Sequence, residues 1–260
     1  MEHFYQNIQG WFDWENIYRA AVALAPADRP STFVELGAWK GKSSAFLATE
    51  IANSGKPIKL YVVDAWDGRG HTNPDGTAEY NEWQEDIDAG LHKMFTENLQ
   101  PVVDYYTAVK KDTVEAADDF ENETVDFLWI DTTQDYDMVS AEIQAWIPKI
   151  KTGGYMGGHD FIAGAESIGR AVKETFQHYR TDNQSWYTRL QTDMDTSPLD
   201  QELARGTAFS QAVGPEQSNA YLRGKYAALS NPTGAAAPQN NAHVTPDRPE
   251  YLRSKYAVKF

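Results

Sequence analysis

Ser31-Thr-Phe-Val-Glu-Leu-Gly-Ala-Trp-Lys-Gly-Lys-Ser-Ser44 is the stretch on which the fold turns. It begins as a short apolar run over 31–36, breaks at Gly37 and Gly41, and resumes with helical patterning from Ser43 to Ile51. Asn53-Ser-Gly-Lys-Pro57 punctuates the helix, and a second apolar run, Ile58–Val63, closes on Asp64. Strand, glycine turn, helix and strand in that order make a βαβ unit. Its two strands run parallel, because only a long crossover returns a chain to the same end of a sheet.

The alternation continues outward. Strands are predicted over Val102–Ala108 and Val125–Ile130, with a helix over Thr113–Phe120 between them. From Asp135 a helix carries Tyr136, Val139, Ile143, Trp146 and Ile150 on one face; Gly153-Gly154 ends it, and a short strand, Tyr155–Gly158, closes on His159-Asp160-Phe161. An amphipathic helix over about Ala165–Tyr179 and weaker strands at Trp186–Leu190 and Thr207–Val213 follow. Upstream, Ile8, Trp11, Phe12, Ile17, Ala20, Ala21 and Leu24 predict an N-terminal helix over 7–25, stopped before Pro26. The expected architecture is α/β, a Rossmann-like, doubly wound, mostly parallel sheet. Residues 66–92, rich in turn residues and aromatics, predict a lid loop with a short helix. The domain is expected to fill 1–213. A tail over 214–260 holds two near copies of one heptapeptide, Tyr221–Ala227 and Tyr251–Ala257, read as an extended or mobile segment or as a docking element for a homo-oligomer.

Charge narrows the function. Thirty-eight acids against 23 Lys+Arg leave a formal charge of -15 over 260 residues, with 41% hydrophobic residues. That excess disfavours nucleic acid and anionic membrane surfaces, which need clustered cations, and a neutral or cationic small-molecule acceptor fits better. The absence of cysteine excludes disulfides, thiolate metal sites and a Cys nucleophile. No basic, apolar leader and no membrane-length apolar run occur, so a cytoplasmic location is expected.

The glycine turn admits two chemistries. A phosphate-binding P-loop needs four residues between its glycines, and Gly37-Ala-Trp-Lys-Gly41-Lys42-Ser43 has three, with Glu35 nearby to repel a triphosphate. S-adenosylmethionine suits the residues better. Gly37 and Gly41 allow close backbone approach, Ser43, Ser44 and the helix N-terminus can receive a carboxylate, and Glu35 and Asp131 can balance an ammonium and a sulfonium. Asp64, ending the next strand, is placed to accept hydrogen bonds from both ribose hydroxyls.

The 35–44 segment, Val-Val-Asp64-Ala65-Trp66-Asp-Gly68, Trp129-Ile-Asp131 and Lys151-Thr-Gly-Gly-Tyr-Met-Gly-Gly-His159-Asp160-Phe161 resemble class I S-adenosylmethionine-dependent methyltransferases over roughly residues 31–175. The likeness is nearest to the macrocin-type sugar O-methyltransferases, with catechol O-methyltransferase a more distant cousin. The resemblance implies that Glu35, Gly37, Trp39, Gly41 and Ser43 hold the methionine part. It sets Asp64 at the ribose, Ala65 and Trp66 beside the adenosine, Asp112 and Thr113 at the adenine, and Asp131 beside the transferred methyl. Acids matching Asp131 and Asp160 bind Mg²⁺ in metal-dependent relatives, and His159 adjoins them as a further contributor or as a hydrogen-bonded loop residue. In the lid, Trp66 is expected to shape an acceptor pocket and Trp83 to pack.

One position departs from the resemblance. Where the family carries a histidine or lysine base, three residues after the strand-ending aspartate, this chain has Gln134, which takes no proton at neutral pH. His71 or His159 can serve instead, or Mg²⁺ can acidify the acceptor. The competing reading is a protein that binds S-adenosylmethionine or its product without turnover.

Overall fold

The computed structural model describes residues 1–67, 86–87, 89–161, 166–190 and 197–210. The helices are α1 (Glu15–Leu24), α2 (Lys42–Ser54), α3 (Leu91–Asn98), α4 (Tyr136–Trp146), α5 (Glu166–Thr175) and α6 (Ser197–Ser210). The strands are β1 (Ser31–Leu36), β2 (Ile58–Asp64), β3 (Thr107–Lys110), β4 (Val125–Ile130), β5 (Ile150–Gly158), β6 (Arg180–Asp182) and β7 (Ser185–Arg189). They form one sheet in the order β3-β2-β1-β4-β5-β7-β6. The first five run parallel, and β7 is antiparallel to both β5 and β6. The expected doubly wound, mostly parallel sheet is therefore present.

Both faces of that sheet are covered, which is why its strands are nearly continuous apolar runs. Phe33, Leu60, Val62, Phe127 and Trp129 point to the layer of α1, α2 and α3. Their alternates Val34, Leu36, Val63, Leu128 and Ile130 point to the layer of α4 and α5. Strand order reverses between β1 and β4, so the loops after these two strands diverge and leave a crevice at the carboxyl edge.

Several sequence expectations are corrected. The N-terminal helix begins at Glu15, not at 7: Gly10 has φ +146°, a backbone no helix accepts, and residues 8–14 form a strap. The strand expected over Val102–Ala108 is a 3₁₀ turn over Gln100–Tyr105 followed by β3, because Pro101 favours the start of a helical turn. The helix expected over Thr113–Phe120 is a 3₁₀ turn over Glu115–Asp119 capped by Asp112. Gly153-Gly154 lies inside β5 at a register shift against β4, where Gly153 takes φ +82°. Residues 207–210, expected to begin a strand, end α6. By its contacts the chain divides into two units, Met1–Gly206 and Thr207–Phe260. Most of the lid, including His71 and Trp83, and both heptapeptides lie outside the described residues.

Candidate functional site

Two groups of residues meet at the carboxyl edge. The first is the β1–α2 loop. Gly37 takes φ +84°, and a Cβ there would lie 2.0 Å from the carbonyl oxygen of Asp131, so only glycine lets this loop press against the end of β4. Trp39 also takes a left-handed backbone, φ +46°. Asp64 holds the loop in place: Oδ2 accepts from the amides of Ala38 (2.8 Å) and Trp39 (3.0 Å), and Oδ1 from that of Trp66 (2.6 Å).

A carboxylate has about four acceptor positions, and three of those on Asp64 are taken by backbone. It can accept one ribose hydroxyl rather than the two expected. The same bonds weaken the phosphate-cradle reading further, since two amides of that loop already donate to an acid.

Glu35 lies beneath this loop, fully buried. It accepts from the hydroxyl of Tyr18 at 2.8 Å and, very closely, from that of Ser44. Burial lifts its carboxyl to about 7, against the opposing pull of Ser44, Ser43 and Tyr18. Glu35 is thus a strut under the loop, and Gly41, with φ +89°, starts α2 above it. The first amides of a helix have no intrahelical partner, so the α2 N-terminus, which carries Ser43, suits the carboxylate end of a cofactor.

Ala65 is partly buried at the end of β2. Trp66 is not a pocket wall. It is 4% exposed, donates through Nε1 to the carbonyl of Trp39 (2.9 Å), and packs on His92 and Phe95. Asp112 caps its turn by accepting from the amides of Val114 and Glu115 (both 3.1 Å). Thr113 donates to Glu142 (2.5 Å), which also accepts from Thr132 (2.8 Å). Glu142, on α4, is fully buried, and burial lifts it to about 7 despite the two threonines. It ties the loops after β3 and β4 together, a role that sequence patterning did not reveal.

The second group is an acidic and imidazole cluster. His159, 5% exposed at the end of β5, places Nδ1 3.2 Å from Asp160 Oδ1 and 3.8 Å from Asp131 Oδ1. Its Nε2 lies 2.9 Å from Asp13 Oδ1, a charge contact without a well-aligned hydrogen bond. Burial pulls the imidazole pKa down, but Asp13, Asp160 and Asp131 outweigh it and raise the group to about 9. Gln134 donates to Asp160 Oδ2 (2.9 Å), so the residue standing where the family keeps a base does face the cluster. Asp131, Thr132, Thr133, His159 and Asp160 line a small cavity here.

Asp131, His159 and Asp160 offer one nitrogen and two carboxylate oxygens within 4.8 Å of one another. This donor set fits a divalent cation, two hard oxygens joined by one softer imidazole. Asp13 and Trp14 were hidden inside the expected helix 7–25; Gly10 before Asp13 and Glu15 was the available start signal.

Residues 34–161 match the family model described as a methyltransferase domain. Over these residues, just under half of the chain, the protein is similar to methyltransferase domains, and its sheet has the class I methyltransferase fold. The chain is 30% identical over 137 residues to an uncharacterized protein, y4gI, of Sinorhizobium fredii; the match covers 53% of this chain and 14% of that protein, about a seventh of its length. In structure it is similar to the O-methyltransferase NovP (18% identity, TM-score 0.51, 68% of this chain and 79% of that one). A likeness to a SAM-dependent O-methyltransferase of Thermotoga maritima is weaker (15% identity, TM-score 0.44, 70% and 66%). Among the described residues no helix of the domain is long and apolar enough to cross a membrane.

Proposed function

We propose that the chain transfers a methyl group from S-adenosylmethionine to a hydroxyl oxygen of a small-molecule acceptor held over Asp131, His159 and Asp160. The observation that carries this is the convergence of that cluster with the β1–α2 loop, brought together where Gly37 touches the backbone of Asp131. Bound S-adenosylmethionine supplies an electrophilic methyl on a sulfonium. The chain's own work is placement and electrostatics. Asp64 takes one ribose hydroxyl, the α2 N-terminus takes the carboxylate, and Asp131 faces the reacting side.

With no cation at the cluster His159 holds an extra proton at neutral pH, its pKa raised to about 9 by the three acids, so it orients and charges the site rather than stripping the acceptor. Asp131, with 31% of its side chain exposed, is the group placed to accept the hydroxyl proton. A divalent cation at Asp131 and Asp160, magnesium by the family resemblance, would acidify that hydroxyl. The net charge of -15 favours a neutral or cationic acceptor over a polyanion.

Gln134 supports a second reading, a domain that binds the cofactor without turnover, since its amide occupies Asp160 and offers no base. Calorimetric titration with S-adenosylmethionine and S-adenosylhomocysteine, followed by mass-spectrometric assay on phenols, catechols and glycosides, separates the two. Binding with methylated product supports transfer. Binding without product, unchanged in Gln134→His, supports the second reading, and no binding of either nucleoside refutes both.

A further inference from the structure

We propose that Asp131, His159 and Asp160 bind a first-row transition dication, Mn²⁺ through Zn²⁺, in preference to Mg²⁺, and that Asp13 is the positioning residue that aims His159 at it. This rests on the reading that the cluster takes a cation, and it changes which cation and adds a residue to the site.

Geometry comes first. Ligand atoms held about 2.1 Å from one ion stand roughly 3.0 Å apart at right angles and about 3.4 Å apart in a tetrahedron. His159 Nδ1 stands 3.2 Å from Asp160 Oδ1, already at ligand spacing, and 3.8 Å from Asp131 Oδ1, so Asp131 must move inward to share an ion with them. That carboxylate is the most exposed of the three side chains, at 31% against 4% and 15%.

The surroundings of His159 add a second observation. A metal-bound imidazole presents its other nitrogen to a carboxylate or carbonyl, which fixes the ring and strengthens it as a donor. Here Nε2 faces Asp13 Oδ1 at 2.9 Å, and Asp13 Oδ2 accepts from the Asn183 amide at 2.9 Å. The Trp14 ring lies against the imidazole, centroids 4.4 Å apart, so the ring is packed as well as paired. Asp160 is likewise braced, its Oδ2 accepting from Gln134. Asp13, His159 and Asn183 thus meet from a strap, a strand end and a hairpin that are remote in sequence.

Selectivity follows from the donor set. Mg²⁺ demands oxygen and keeps its waters, whereas imidazole is a good ligand for iron, cobalt, nickel and zinc, and two carboxylates keep Mn²⁺ within range. A buried imidazole at the centre of the triad therefore penalises Mg²⁺ relative to the others.

The test uses the full chain stripped with chelator and titrated separately with Mg²⁺, Mn²⁺ and Co²⁺, read by calorimetry, by Mn²⁺ paramagnetic resonance and by the visible absorption of bound Co²⁺. One ion per chain is expected, with Co²⁺ and Mn²⁺ at least about tenfold tighter than Mg²⁺. His159→Asn should remove that preference. Asp13→Asn should weaken Co²⁺ by about 10–100-fold and alter its spectrum, with partial rescue by Asp13→Glu. If Asp13→Asn does not fold, Asn183→Ala takes its place, with a smaller loss expected. Equal or tighter Mg²⁺ binding, no binding of any ion, or unchanged Co²⁺ affinity in the Asp13 and Asn183 variants would overturn the proposal. S-adenosylhomocysteine is titrated on the same samples: its binding without any metal sinks this inference alone, and loss of both sinks the methyltransferase reading too.

Discussion

Gly37→Ala tests how the β1–α2 loop is built. The residue has φ +84°, and a Cβ would fall 2.0 Å from the carbonyl oxygen of Asp131 and 2.6 Å from its carbon. The left-handed backbone alone costs an alanine about 1–2 kcal/mol. The contact costs more, since β1 and β4 must part by roughly 1 Å to reach a tolerable separation. They are pinned there: Asp131 donates to the Leu36 carbonyl at 2.8 Å. Losing that bond adds about 1 kcal/mol, for a total of about 2–3 kcal/mol. Gly55 provides the reference within the same molecule. It also lies in the left-handed region, φ +63°, but a Cβ there meets nothing within 4 Å. Gly55→Ala should therefore cost only the backbone part, about 1–2 kcal/mol. Urea unfolding of both variants, at unchanged slope, measures the difference. If the two costs agree to within about 0.5 kcal/mol, well below the gap argued here, the close approach of the β1 and β4 loops is not what glycine serves.

The remaining predictions concern charge. Glu142 has a folded pKa of about 7 against an ordinary 4.5, so its stabilising contribution is full below about pH 4.5 and is lost as pH rises through 7. Glu142→Gln should flatten that fall, on the order of 3 kcal/mol, and superimposable pH–stability curves would refute it. His159, raised to about 9, stabilises fully below about pH 6.5 and loses that contribution as pH rises through 9. His159→Asn should therefore show a shallower decline between pH 7 and 9.5 than the parent chain, read by thermal unfolding; a parallel decline would count against the three-acid setting of the imidazole. Asp64→Ala removes the acceptor of three loop amides, and should weaken S-adenosylhomocysteine binding by about tenfold or more. Unchanged affinity would show that the loop holds without it.

The sheet was legible because its code is local. Apolar runs ending in Glu35-Leu-Gly37, Val-Val-Asp64 and Trp129-Ile-Asp131 report burial on two faces and a turn at one edge, and each became a strand with its acid at the carboxyl end. Element boundaries were less legible. Helical spacing over 8–24 is real, but Gly10 breaks the backbone that would carry it, and the aromatics Phe12 and Trp14 pack onto Phe46 and Trp129 from a strap instead. Site residues divide the same way. Asp131, His159 and Asp160 were visible as strand-end residues. Asp13, Glu142 and Asn183 were not, because their roles come from tertiary contacts with no spacing signature. Trp66 shows the converse error: a tryptophan in a glycine-rich stretch suggested a pocket wall, yet its indole N–H found the Trp39 carbonyl and its ring found Phe95.

The strap also explains how so acidic a cluster is tolerated. Asp131 and Asp160 converge on one small cavity, an arrangement that like-charge repulsion opposes. A protonated His159 between them offsets one charge, but a buried imidazolium is itself disfavoured by desolvation. Asp13 supplies the compensation from the opposite side of the ring, and Asn183 holds Asp13 in turn. Its reach depends on residues 3–14 being anchored along α2: His3 pairs with Glu50 at 2.7 Å and stacks on Phe46, and Phe12 packs against the same ring. The N-terminal strap is thus part of the site rather than a cover for it. It sets the charge balance that lets two carboxylates and an imidazole share a few ångströms at the end of the sheet.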